Sequence, residues 1–257
     1  MLKRLVLAIA IVVTSSFATW DKFPVLEASK GQTEVGYSYA SVDKINQLDF
    51  RMGVRYSFIQ NFEFGITVPY LIFFRANSED QNRNGFMDIS LLTRYQIFPV
   101  MNIFFDFSPP TCSSELCGDN PAFFNFGTQY SQSFGFLQIG SEISLTLQTE
   151  GNNHVTPPWN MDFGIEARFN FSGTFVPYIG IDMTMLLGKN TANGENFGES
   201  YTGKMGYAPY LGGIVNIDPI VYLGFKVQLE YGEVYYENKD KTPLILTLNF
   251  GINFRTN

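Results

Sequence analysis

The stretch LDFRMGVRYSF (residues 48–58), followed by the turn IQN and then FEFGITVPY (residues 62–70), decides the fold. In its first half Leu48, Phe50, Met52, Val54, Tyr56 and Phe58 alternate with Asp49, Arg51, Gly53, Arg55 and Ser57. In its second half Phe62, Phe64, Ile66, Val68 and Tyr70 alternate with Glu63, Gly65, Thr67 and Pro69. Period two marks a strand with one apolar and one polar face, and the short connection makes the pair a hairpin. Eleven residues is about twice the usual length of a globular strand, and the polar face of this one carries Asp49, Arg51 and Arg55. A tilted strand of about 9–11 residues crosses a bilayer core. The hairpin therefore reads as two staves of a membrane barrel.

The rest of the chain extends this pattern. The 257 residues include 26 Phe and 14 Tyr, and beyond the N-terminus no apolar run reaches the length of a transmembrane helix. Twelve strand-like segments are predicted, giving an all-β, single antiparallel up-and-down transmembrane barrel. The first spans residues 33–42, the fourth 86–97, the tenth 204–217, the eleventh 221–235 and the twelfth 244–254. Their connections alternate in length. Short turns lie near Asn61, Pro99, Gly135, Gly173 and Asp218-Pro219, and long links fall at residues 75–85, 109–122, 150–160, 188–203 and 236–241. Outer-membrane barrels have short periplasmic turns and long external loops, with an even strand count. Aromatic residues gather at both ends of the strands, as two interfacial girdles require. A secreted β-sandwich also alternates, but strand length, loop parity and the charged polar faces count against it.

Residues 1–18 read as a signal peptide. Lys3 and Arg4 precede an apolar core at residues 5–13, and Ser16-Phe17-Ala18 offers a small-x-small cleavage site. The domain boundaries are then 1–18 for the signal and 19–257 for the barrel, exported to a Gram-negative-type outer membrane. Removing Lys3 and Arg4 takes the 17 basic residues to 15 against 24 acidic, a net charge of −9. That argues against nucleic acid as a partner. In an oxidising compartment Cys112 and Cys117 are expected to form a small disulfide loop.

Two stretches resemble a family of outer-membrane barrels named for the meta-cleavage pathway of phenol degradation. The resemblance rests on Gly53, Tyr56, Phe62, Glu63, Gly65, Pro69 and Tyr70, then on Gly85, Asp88, Arg94 and Tyr95. It implies an outer-membrane transport channel, with an aromatic or other organic compound as an expected solute. Broader relatives of that family take up fatty acids and aromatic hydrocarbons and carry an N-terminal plug. Residues 19–32, all that precede the first predicted strand, are too few for such a hatch, so none is expected.

The candidate site is the lumen wall. Alternation points Glu34, Asp49, Glu63, Asp88, Asp106, Glu142, Asp162, Glu166, Asp182 and Glu230 inward, with Arg51, Arg55, Arg94, Arg168 and Lys226. Ten acids against five bases make either a mildly cation-favouring pore or a lattice of ion pairs that fills a narrow barrel. Phe104, Tyr178, Tyr210 and Tyr222 also fall on inward positions, where they could stack on an aromatic solute. The run Asp80-Gln-Asn82-Arg-Asn84-Gly85 resembles the start of a calcium loop, but Leu91 stands where its last ligand belongs, which favours a plain solvated loop. The single histidine, His154, is the weak basis of a lipid-hydrolase alternative and falls in a long loop. The expectation is a channel for small solutes with membrane lipid as its surroundings, no enzyme activity, no cofactor and no metal. The rival reading is a closed structural or adhesive barrel whose external loops are the working surface.

Overall fold

A computed structural model describes residues 20–43, 45–76, 79–118, 120–192, 195–196, 201–234 and 242–256; for residues 76 and 79–82 it describes the backbone only. Residues 1–18, read above as a signal peptide, lie outside these.

Twelve long strands form the barrel: β1 (Lys30–Val42), β2 (Ile45–Ile59), β3 (Phe62–Ala76), β4 (Ser90–Phe98), β5 (Met101–Ser108), β6 (Phe123–Phe134), β7 (Leu137–Gln148), β8 (Trp159–Phe169), β9 (Phe175–Leu187), β10 (Met205–Asn216), β11 (Val221–Leu229) and β12 (Leu244–Arg255). Each pairs antiparallel with its neighbours in sequence. The circle closes where β1 meets β12, with Lys30 opposite Arg255 and Ser41 opposite Leu244. Closure leaves no long free edge. The tight turns use positive φ at Asn61, Gly135 and Gly173, the conformation that short connections demand and that Asn and Gly adopt most readily.

The molecule is inverted relative to a soluble protein. Inward-facing Gln129 and Asn102 are 1% and 2% exposed, while outward-facing Leu248 and Leu211 are 65% and 56% exposed. Val35, Met52, Ile103, Phe126, Ile143, Ile165, Ile179 and Phe225 continue the apolar outer surface around the barrel. At the end with the tight turns Phe58, Phe98, Phe134, Phe136, Phe171 and Ile217 form an exposed rim. No helix among the described residues is long and apolar enough to cross a membrane; the strands would do so.

Several predicted boundaries shift. The opening hairpin is longer than its predicted stretches, β2 starting at Ile45 and β3 running on to Ala76. β1 starts at Lys30 rather than residue 33. The fourth predicted strand is divided. Residues up to Phe86 belong to a separate strand, Glu79–Phe86, that pairs with the far end of β3, and β4 begins only at Ser90. The cause is packing at the loop end. Met87 turns into a small apolar cluster with Leu71, Phe74, Cys112 and Leu116, so the chain leaves the sheet at residues 87–89. The eleventh strand stops at Leu229; Tyr231 and Gly232 pair back onto β10 instead.

Candidate functional site: a lumen filled by its own N-terminal segment

The expectation of an unplugged lumen is overturned. Residues 20–29 do not trail away from the barrel. They double back at Ser29, whose φ is 65° and whose amide donates to the Ser57 carbonyl at 2.8 Å. From there they run into the interior, where residues 20–23 (Trp-Asp-Lys-Phe) cross between the walls.

Arg94 is the centre of this arrangement. Its Nη2 and Nε donate to Glu63 Oε1 at 2.7 and 3.0 Å, and its Nη1 donates to the backbone carbonyls of Asp21 and Phe23, each at 2.9 Å. One barrel guanidinium thus binds a barrel carboxylate and the plug backbone together. Around it Asn102 Nδ2 donates to the Phe23 carbonyl at 3.0 Å and Gln129 Nε2 to the Asp21 carbonyl at 2.9 Å. The Leu26 amide donates to Glu63 Oε2 at 2.9 Å. A short irregular segment has no ladder to satisfy its backbone, so these side chains take that role.

The plug side chains find partners of opposite charge. Asp21 pairs with Arg55 at 3.1 Å, and Lys22 with Asp182 at 2.8 Å. The Arg55 guanidinium also faces the Trp20 ring at 5.5 Å, and Arg168 lies 3.8 Å from the Phe23 ring centroid. Inward glycines make the room. A Cβ on Gly53 would collide with Trp20, one on Gly164 with the Lys22 side chain, and one on Gly140 with the Lys22 backbone and the Phe23 ring. Between Trp20, Arg55, Glu63, Gly65, Leu92 and Arg94 remains a cavity of about 10 Å³, room for a single water molecule.

The remaining predicted lumen residues fall into local groups. Arg51 pairs with Glu34 at 3.3 Å, and Tyr222 donates to the same carboxylate at 2.7 Å. Arg168 pairs with Glu166 at 2.7 Å, to which Tyr210 also donates at 2.9 Å. Glu142 accepts from Gln129 at 2.6 Å; Asp162 accepts from Asn160 and Thr184, each at 2.6 Å. Gln47 donates to Asp49 at 2.8 Å and Gln228 to Glu230 at 3.1 Å. Lys226 lies 5.3 Å from the Tyr210 ring centroid. Tyr178 donates to the Phe225 carbonyl at 3.0 Å. Phe104 is buried. Both carboxylate oxygens of Asp106 are buried without a hydrogen-bond partner among the described residues.

Asp88 stands apart, in the break before β4. Its Oδ1 accepts from the amides of Thr111 and Cys112, both at 2.8 Å, so it anchors the loop that Cys112 and Cys117 close by their disulfide. Burial pushes its carboxyl above the ordinary carboxylate value despite these donors. The side chains of Asp80 and Asn82 lie outside the described residues. His154 sits exposed beside Glu150 in the loop between β7 and β8, away from the lumen network.

No family model and no curated protein matches the chain. Its fold is similar to that of the COG4313 outer membrane channel from Pseudomonas putida F1. That match has a TM-score of 0.72 at 10% identity and covers 92% of this chain and 100% of the other. The NanC porin is similar with a TM-score of 0.56 at 8% identity, covering 87% of this chain and 100% of the porin. The P. putida toluene transporter TodX gives 0.52 at 7% identity, covering 96% and 93%. At these identities the likeness is one of fold: the chain has the architecture of outer-membrane channel barrels.

Proposed function

We propose that the protein is an outer-membrane channel for small solutes whose resting state is closed by its own N-terminal segment. The observation that carries this reading is the seat of residues 20–23. They are held by polar and charged side chains from β2, β4, β5, β6, β8 and β9 rather than by an apolar core. The polar partners of this segment are groups that water can also satisfy once it leaves, whereas opening the wall of twelve paired strands would strip backbone hydrogen bonds inside the membrane. The tight-turn end faces the periplasm in this reading, and the plug enters from that side. A vestibule there, lined by Val25, Leu26, Glu27, Gln60, Asn61 and Gln96, would be the exit. The apolar outer belt and the polar interior support placement in the outer membrane. Aromatic compounds are the favoured solute class. The resemblance to the phenol-degradation family supports this, as does the likeness to a protein described as a toluene transporter.

A second reading has its own support. The one-water cavity and the disulfide-anchored loop cluster would also suit a closed structural barrel that works through its loops. Planar-bilayer recording separates the two. In the channel reading the unmodified protein passes little current, and the double variant Trp20→Ala, Phe23→Ala passes severalfold more, because both rings leave the lumen. If the variant folds, as shown by heat-modifiable migration on gels, and its current equals that of the parent, the channel reading fails.

A further inference from the structure

Resting on that reading, the geometry points to the class of solute that competes with the plug. We infer that the seat vacated by Lys22 and Phe23 takes amphiphilic cations in which a primary ammonium lies a short alkyl chain away from an aromatic ring. The plug acts as a built-in mimic of such a molecule.

The ammonium half of the seat is a built site. Lys22 Nζ donates to Asp182 Oδ1 at 2.8 Å and to the Tyr210 hydroxyl at 3.4 Å, and lies 5.6 Å from the centroid of that ring. The carboxylates of Glu142 and Glu166 act on the same charge. One cation held by a direct carboxylate, a hydroxyl and a π face, with two further acids nearby, is what recognition of an ammonium requires. The walls are shaped to admit it. Gly164 stands where any larger residue would collide with the Lys22 side chain.

The aromatic half adjoins it. The Phe23 ring lies over the Arg168 guanidinium at 3.8 Å, and Gly140 leaves room for its edge. Arg168 is held in place by Glu166 at 2.7 Å. Gly140 faces Glu166 across β7 and β8, two residues along β8 from Gly164. The glycines that admit the two halves are therefore offset by about 7 Å along the strand. A ring and an amine joined by three methylenes span that distance. A neutral hydrocarbon would fill the aromatic half and leave Asp182, whose side chain is 32% exposed, and the buried Glu142 without the ammonium that faces them. The seat thus selects for the charge as well as the ring.

The test is chemical rescue in the full chain. The double variant Lys22→Ala, Phe23→Ala leaves both halves empty and is expected to raise the bilayer current severalfold. Adding 3-phenylpropylamine should then bring the current back toward that of the parent, and 3-phenylpropanol should not. The triple variant Lys22→Ala, Phe23→Ala, Asp182→Asn should conduct but lose the block by the amine. Calorimetric titration of the amine into the detergent-folded variants reads the site without reference to current. Heat release is expected with Lys22→Ala, Phe23→Ala and at least tenfold weaker binding with the triple variant. Equal binding or block by amine and alcohol, or binding that survives Asp182→Asn, overturns the inference. Amine binding with no change of current in any variant would leave the ammonium seat standing and remove the channel reading instead.

Discussion

Replacing Glu63 by Gln is expected to cost the folded barrel about 3–5 kcal/mol, the range for removing one partner of a buried ion pair. Glu63 and Arg94 are each 3% exposed. Glu63 Oε1 receives two N–H groups from Arg94 and faces Arg55 Nη1 at 3.5 Å, while Oε2 receives the Leu26 amide. A glutamine keeps the volume, so no cavity forms. It also keeps one oxygen, so either Arg94 or Leu26 can still be served, but its amide then points hydrogens at the other. Arg55 retains Asp21; Arg94 loses its only directly bonded carboxylate and keeps just the more distant charges of Asp21 and Asp106. Because Arg94 also holds the Asp21 and Phe23 carbonyls, plug seating should loosen together with stability, and the current should rise. Urea titration in phospholipid vesicles reads the energy. Glu150→Gln is the control, since its partner His154 is exposed and such a pair contributes at most about 1 kcal/mol. A Glu63→Gln barrel that unfolds within 1 kcal/mol of the parent would mean that the plug carbonyls alone satisfy Arg94.

The barrel wall was legible in the sequence because lipid and lumen impose opposite demands on successive residues. Leu48 to Phe58 could alternate cleanly since one face meets hydrocarbon and the other meets Arg94, Glu63 and their kin. Turn parity was legible for a related reason: tight turns need Asn61, Gly135 and Gly173, and long loops do not. The plug was not legible. Residues 20–23 have no period of their own, and each partner lies on a different strand: Arg55 on β2, Arg94 on β4, Asn102 on β5, Gln129 on β6, Arg168 on β8 and Asp182 on β9. The only trace was negative. Gly53, Gly65, Gly140 and Gly164 occupy inward positions where a side chain belongs, and together they outline a space. Period two also misled at residue 87. Met87 fits the alternation of a lipid-facing strand, but its apolar neighbours are Phe74 and Leu116 rather than lipid. Alternation reports that a face is apolar without saying what covers it.

Leu248→Arg tests what covers the outer face, and the size of its effect differs between the alternatives. Leu248 is 65% exposed near the middle of β12, between Tyr37 of β1 and Phe225 of β11. On a soluble sandwich such a residue faces water, and an arginine there changes stability by no more than about 0.5 kcal/mol. In a barrel the same position faces hydrocarbon, and an arginine at the bilayer midplane costs about 2–4 kcal/mol. Nothing else in the fold shares the change, since the side chain makes no polar contact and its neighbours on both strands are apolar. Leu248→Phe, which keeps the surface apolar, should stay close to the parent. Urea unfolding in phosphocholine vesicles measures all three proteins. An arginine variant as stable as the parent would show that water reaches β12, and the lumen, the plug and the ammonium seat would then need another explanation.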